Sequence, residues 1–298
     1  MEPIDAIILS AGRASRFGVP KFMLPAGPGE VLLTRVLAQA LQVADGRVVV
    51  VLGHQAALAR YALEDWLSRH SGAKARVWMV QNPAYAQGQS TSLKAGIQAL
   101  QDSHGAVVFL ADMPGLDGSR LARLRRGIIQ RAPTSLAVVP SERGQVRPPV
   151  FLSASLFADI AHLRGDQGAR ALLQAPNNRV EWMEWGSGLW FADVDTWENY
   201  RCLARARRWA KEPVVRLPRE TRPVSEVEVL IESSLASETV PWLAPGLLLL
   251  ASEGEPRWVV LPQSYRGVHG IILGPARTPA AYLDLLRRAS LAVLAEEN

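Results

Sequence analysis

Residues Val48-Val49-Val50-Val51-Leu52 form an apolar run with no polar alternation. A strand with one wet face alternates polar and apolar residues, so this run predicts a strand covered on both faces. Ala6-Ile7-Ile8-Leu9 reads the same way, as do strands over 75–81 and 106–110. Between them lie segments with helical spacing over 31–44, 55–70 and 90–101, the second with Leu58, Tyr61, Ala62 and Trp66 near one face. A basic helix is expected over 121–130, and strands over 135–140 and 150–152. Helices over 153–163 and 168–174, a strand over 179–185 and a helix over 196–209 complete the pattern. Alternating strands and helices predict an α/β fold with a mostly parallel sheet and helices on both faces. Right-handed crossovers then bring the loops leaving successive strands to one edge, where open α/β sheets bind ligands.

Three of those loops carry candidate chemistry. The first, Leu9 to Lys21, holds Gly12, Gly18, Arg13, Arg16 and Lys21. Glycines let backbone N–H groups approach an anion and the cations add charge, which suits phosphate; a plain turn with solvated basic residues fits equally well. The loop matches neither common phosphate-loop template. The second, Asn82 to Ser92, offers hydroxyls and N–H groups at a helix start, either to a nucleoside or simply as caps. The third places Asp112 after a strand and next to Met113-Pro114, as a magnesium ligand or as a turn residue. Further on, Asp193-Val194-Asp195-Thr196 precedes a helix, as paired metal carboxylates or as its cap.

The order of residues in these segments resembles the molybdenum-cofactor nucleotidyltransferases, whose fold is Rossmann-like. The likeness rests on Leu9-x-Ala11-Gly12-x-x-x-Arg16-Phe17-Gly18-x-x-Lys21, Asn82-Pro83-x-x-x-x-Gly88-x-Ser90-x-Ser92-Leu93 and Ala111-Asp112-Met113-Pro114, and it extends over about residues 4–209. It implies that Arg16, Lys21 and Asp112 are catalytic. It implies nucleotide contacts at Leu9, Ala11, Gly12, Arg13, Arg16, Lys21, Gly88, Ser90 and Ser92. It also implies Mg²⁺ on Asp112 and Asp195, with Asp195 favoured over Asp193. The Ala11-Gly12 pair resembles the cytidylyl branch rather than the guanylyl branch, which implies CTP over GTP. The resemblance further implies transfer of CMP to a phosphate acceptor such as molybdopterin, with release of pyrophosphate. Gly165-Asp166-x-Gly168-Ala169-Arg170 matches the family, and implies Asp166 on the acceptor side or as a helix cap. Gly144 to Val150 departs from it: Arg147 and Pro148 stand where glycine and histidine are usual. That departure leaves open a sugar- or alcohol-phosphate acceptor with Arg147 beside it. A binding and delivery role without catalysis is the remaining alternative.

Net charge is +5, split as +7 over residues 1–210 and −2 beyond. The basic residues are spread along the chain, which suits a small acidic substrate and gives no nucleic-acid expectation. One cysteine, Cys202, excludes an intrachain disulfide and fits a reducing, cytoplasmic setting. It reads as a packing residue, and the nine tryptophans read mostly as core. No apolar run approaches the roughly 20 residues of a membrane span. The five histidines show no metal spacing. Proline and basic residues concentrate over 211–222, so the expected organisation is a transferase domain over 1–210, a linker over 211–222 and a small α/β module over 223–298. That module is expected to have apolar strands over 246–251, 258–261 and 269–273 and a closing helix over 279–295. It is the segment expected to dock a molybdoenzyme.

Overall fold

The computed structural model describes residues 2–12, 21–24, 26, 30–54, 56–100, 102–173, 179–207, 247–252, 255–260 and 273–275. The chain divides into two units, one of residues 1–13 and 32–193, the other of residues 14–31 and 194–298.

In the first unit, β1 (Asp5–Ser10), α1 (Leu32–Val43), β2 (Val48–Leu52), α2 (Ala56–Arg69), α3 (Ser71–Lys74), β3 (Val77–Gln81), α4 (Gln89–Gln98) and β4 (Gly105–Leu110) follow in order. Next come α5 (Gly118–Gln130), β5 (Ala137–Glu142), β6 (Gln145–Val146), β7 (Val150–Ser153), α6 (Phe157–Ile160), α7 (Arg170–Leu173) and β8 (Val180–Glu184). They build one sheet in the order β3-β2-β1-β4-β7-β5-β6, with β8 beside β5. β1 to β4 pair in parallel, as expected. β1 and β2 are buried along their whole length. Ile7, Leu9, Val49, Val51 and Val108 join the cluster that includes Leu93 of α4. Ile8, Val50, Val107 and Phe109 alternate to the other face and are buried as well. Both faces are therefore covered.

The far side of the sheet holds the antiparallel part of the mostly parallel arrangement. β6 and β7 run antiparallel to β5, and β7 antiparallel to β4. The cause is a two-residue turn, Arg143-Gly144, with φ of 50° and 74°. Positive φ at both centres gives the tight hairpin that matches strand twist, and two residues cannot span a parallel crossover. Pro148 and Pro149 interrupt the returning strand because proline donates nothing to a ladder. Two antiparallel steps restore direction, so β5, and β8 parallel to it, end at the same edge as β4.

Helices expected over 153–163 and 168–174 are much shorter: a 3-10 turn Ala154–Leu156 with single-turn α6, then single-turn α7. Ser153 makes no side-chain cap, and Gly165 at φ 56° breaks any continuation. α3, by contrast, falls where no helix was expected. Trp78 and Trp182 are 44% and 49% exposed, unlike core residues, since β3 and β8 each pair on one side only within the sheet.

In the second unit, α8 (Trp197–Ala206) starts where the Thr196 hydroxyl accepts from Asn199 N–H at 3.1 Å, an N-cap. Tyr200 is fully buried, which raises its phenol pKa. Cys202 is exposed rather than packed. β9 (Leu247–Ser252), β10 (Glu255–Val260) and β11 (Leu273–Pro275) form an antiparallel sheet in the order β11-β10-β9. The first two fall on expected apolar runs, and the third meets its run only at Leu273. The linker over 211–222 and the closing helix over 279–295 lie outside the described residues. Among the described residues, no helix is long and apolar enough to cross a membrane.

Candidate active site

The carboxyl edge of the first unit is assembled by close backbone approaches. Gly53, just after β2, is one of them: a Cβ there would lie 2.7 Å from both the Ala11 and Tyr85 Cβ atoms. That fit holds the loops leaving β1, β2 and β3 together, and His54 N–H donates to the Ala11 carbonyl at 3.4 Å. Leu9 and Ala11 are buried, and among the described residues nothing lies within 4 Å of where a Gly12 side chain would project. Arg13 and Arg16 lie outside the described residues.

The loop after β3 is tied down by Asn82, itself buried. Its amide donates to Thr91 Oγ1 at 2.9 Å and Ser92 Oγ at 3.0 Å, and its Oδ1 accepts from Ala84 N–H. The Thr91 and Ser92 hydroxyls, expected to cap α4, are used in this network instead. Thr91 donates within reach of the Ala84 and Gly88 carbonyls, and Ser90 and Ser92 are buried. The N-cap position is Gly88, which has no side chain to cap with. The donors at the helix start go to residues 165 and 166. Ser90 N–H donates to the Gly165 carbonyl at 3.0 Å and Gln89 N–H to the Asp166 carboxylate at 3.4 Å. The carboxylate thus lies at the positive end of the α4 dipole. Gly88, at φ 113°, would bring a Cβ to 2.2 Å from Gly165 C, so only glycine fits.

Asp112 follows β4 directly and is half-buried. Ala111 N–H donates to Leu9 O and Met113 N–H to Leu110 O, so the backbone on either side of it is fixed. The loop after β8 presses on the same turn: a Cβ on Gly115 would fall 2.1 Å from the Leu189 carbonyl oxygen. That loop is pinned by the Arg120 guanidinium, 3.3 Å above the Trp190 ring, and by Trp185 stacked on Phe191. It leads to Asp193, whose carboxylate offers an oxygen within 4.8 Å of one from Asp112. Two oxygens on one Mg²⁺-like ion sit about 3 to 4 Å apart, so two hard donors at this spacing suit a divalent cation after a small approach. Asp193 is the residue that sequence reasoning set behind Asp195.

In the second unit, Lys21 donates to Asp195 at 2.7 Å, with the lysine side chain 15% and the aspartate 46% exposed. Thr196 takes a capping role, and Asp195 pairs with the Lys21 ammonium.

Arg147, on the returning strand of the hairpin, pairs with Glu142 at 2.7 Å. The hairpin tip is held by Glu184 at the end of β8. Its carboxylate accepts from Ser141 Oγ at 2.8 Å, Arg143 N–H at 3.0 Å, Gly144 N–H at 3.5 Å and Gly186 N–H at 3.2 Å. The Ser141 hydroxyl first, and then these N–H groups, hold the Glu184 pKa below its ordinary 4.5. Nothing in the sequence pattern marked Glu184, because three of its four partners lie about 40 residues earlier, on β5 and the hairpin turn. A carboxyl lowered on folding stabilises above its unfolded pKa, and that stabilisation disappears as pH falls through the lowered value. We therefore expect Arg143 and Gly144 amide protons to lose protection below the ordinary carboxylate range, and a Glu184→Gln protein to show no such step. Identical NMR pH titrations for the two proteins would contradict this.

A family model described as "MobA-like NTP transferase domain" matches residues 6–180. Among curated relatives, the Bacillus subtilis purine catabolism protein PucB is 29% identical over 209 residues, 67% of this chain and 95% of the relative. The Paenarthrobacter nicotinovorans nicotine blue oxidoreductase is 31% identical over 211 residues, covering 67% of this chain and 96% of that one. The Escherichia coli molybdenum cofactor cytidylyltransferase is 35% identical over 116 residues, 39% of this chain and 55% of the relative. Among solved structures, Rv0371c from Mycobacterium tuberculosis superposes with a TM-score of 0.55 at 26% identity, covering 68% of this chain and 98% of that one.

Proposed function

The chain belongs to the MobA-like NTP transferase family, and from that premise we propose that this nucleotidyltransferase moves CMP from CTP onto the phosphate of molybdopterin. The observation that carries the reading is the pair Asp112 and Asp193, brought within 4.8 Å from two strand-end loops. We assign Asp112 and Asp193 to a divalent ion, Mg²⁺, with Asp195, two residues further along the chain, as the third ligand. When bound, such an ion offsets charge on phosphate oxygens. Backbone around Leu9, Ala11, Gly12 and Arg13, with Gly88, Ser90 and Ser92, holds the nucleotide. An oxygen of the acceptor phosphate attacks the α-phosphorus in line, the bond to the bridging oxygen breaks, and pyrophosphate leaves. Arg16 and Lys21 stabilise the departing pyrophosphate, so positioning and charge do the work and an anionic acceptor requires no general base. Asp166 and Arg147 face the acceptor in this reading.

The CTP preference rests on the Ala11-Gly12 pair and on likeness to a relative named for cytidylyl transfer. A second reading keeps the reaction and takes a sugar or alcohol phosphate. It is favoured by Arg147, which stands in place of the family's glycine and pairs with Glu142. We also assign residues 223–298 to a module that docks a molybdoenzyme, and the reaction to the cytoplasm. The support for the module is that the family match ends at residue 180 while a separate sheet spans 247–275.

Labelled CTP or GTP offered with Mg²⁺ and a panel of acceptors tests the assignment. The expected result is pyrophosphate release with CTP and molybdopterin. Release only with a sugar or alcohol phosphate supports the second reading. Nucleotide binding without pyrophosphate release under every condition rejects catalysis in favour of a delivery role.

A further inference from the structure

Gln39 lies on α1, 3% exposed, far in sequence from every candidate site residue. Its amide nitrogen donates to the carbonyl of Pro114 at 2.7 Å and to that of Leu116 at 3.0 Å. Both partners are carbonyl oxygens, so the amide's orientation is fixed by chemistry: only the NH₂ end can satisfy them. The Oε1 end is buried with no partner among the described residues. Burying half an amide unsatisfied is unfavourable, so the site is organised around the two donated bonds. Those bonds span the turn that begins at Asp112. Gly115, between the two held carbonyls, is the residue against which Leu189 presses, on the loop leading to Asp193.

We infer that Gln39 is a positioning residue for the metal carboxylates, clamping the 112–116 turn from α1 so that Asp112 keeps its spacing to Asp193. This rests on the metal role proposed above. Proline has no N–H, so Pro114 leaves this turn one backbone donor short. A side chain from a neighbouring helix supplies donors. Without it the turn either hydrates or swings, and Asp112 moves with it.

Manganese binding to the full chain, followed by electron paramagnetic resonance without nucleotide, reads this directly. Gln39→Met keeps length and volume and removes both donors. It should weaken Mn²⁺ binding about tenfold, the lower range for losing an outer-shell partner. Gln39→Asn keeps the amide one methylene shorter and should fall between the two, which covers a failure of the methionine variant to fold. Leu152→Val disturbs the core beside Ala106, at the opposite end of β4, and should lower the melting temperature without changing Mn²⁺ affinity. The inference is overturned if the Gln39 variants bind Mn²⁺ within about twofold of the parent protein, or if Leu152→Val weakens binding equally. If Asp112→Ala leaves Mn²⁺ binding unchanged, the metal reading itself fails and takes the inference with it; if only the Gln39 variants are neutral, the metal reading stands.

Discussion

Asp112→Ala is expected to remove nucleotidyl transfer while the protein stays folded. A ligand that holds a charge-neutralising cation contributes several kcal/mol to the transition state, so the rate should fall by at least about 10³. The fold should survive because Asp112 is half-buried at a loop and the fixed groups around it are backbone: Ala111 and Met113 donate to Leu9 and Leu110 whatever side chain stands between. Initial rates of pyrophosphate release, together with a thermal melt, separate chemistry from stability. Turnover above about a tenth of the parent rate in a folded Asp112→Ala protein would end the metal assignment.

Gly115→Ala should harm both stability and activity, although the added group is one methyl. The Cβ would meet the Leu189 carbonyl oxygen at 2.1 Å and Trp190 Cα at 3.2 Å, and neither is a side-chain end that can rotate away. Relief requires the two loops to part. Overpacking of this kind costs about 1 to 3 kcal/mol, visible as a lower urea midpoint. Because those loops carry Asp112 and Asp193, the same displacement should weaken divalent-ion binding. Gly118, with nothing within 4 Å of a Cβ, provides the comparison: Gly118→Ala should leave both quantities unchanged. Equal midpoints for the two variants would show that the loops do not meet as described.

Residues differ in how openly they announce these roles. The run at 48–52 could be only a doubly covered strand, and β1 to β4 followed from that kind of local signal. Asp112 stood out through the Ala111-Asp112-Met113-Pro114 likeness, since its place after a strand fits a turn residue as well. The hairpin was harder: Arg143 at positive φ is not the asparagine or glycine that usually marks such a turn, and it conceals a reversal of chain direction. At α6 and α7 the sequence marked helices but not how short they are, since each ends after a single turn. Glu184, Gln39 and Gly115 each meet partners 40 or more residues away, and no local pattern encodes such pairings. From the sequence, Asp193 stands behind Asp195 because the family resemblance favours the second carboxylate of the pair. The packing of Leu189 on Gly115 is a long-range contact that helps bring the loop carrying Asp193 to Asp112.

The solitary thiol has a practical consequence. Cys202 is exposed on α8, seven residues after Asp195, and no other sulfhydryl in the chain competes for a maleimide. A dye coupled there labels the protein at one defined point without mutagenesis. Its emission would then report changes around that helix, on native material and in real time.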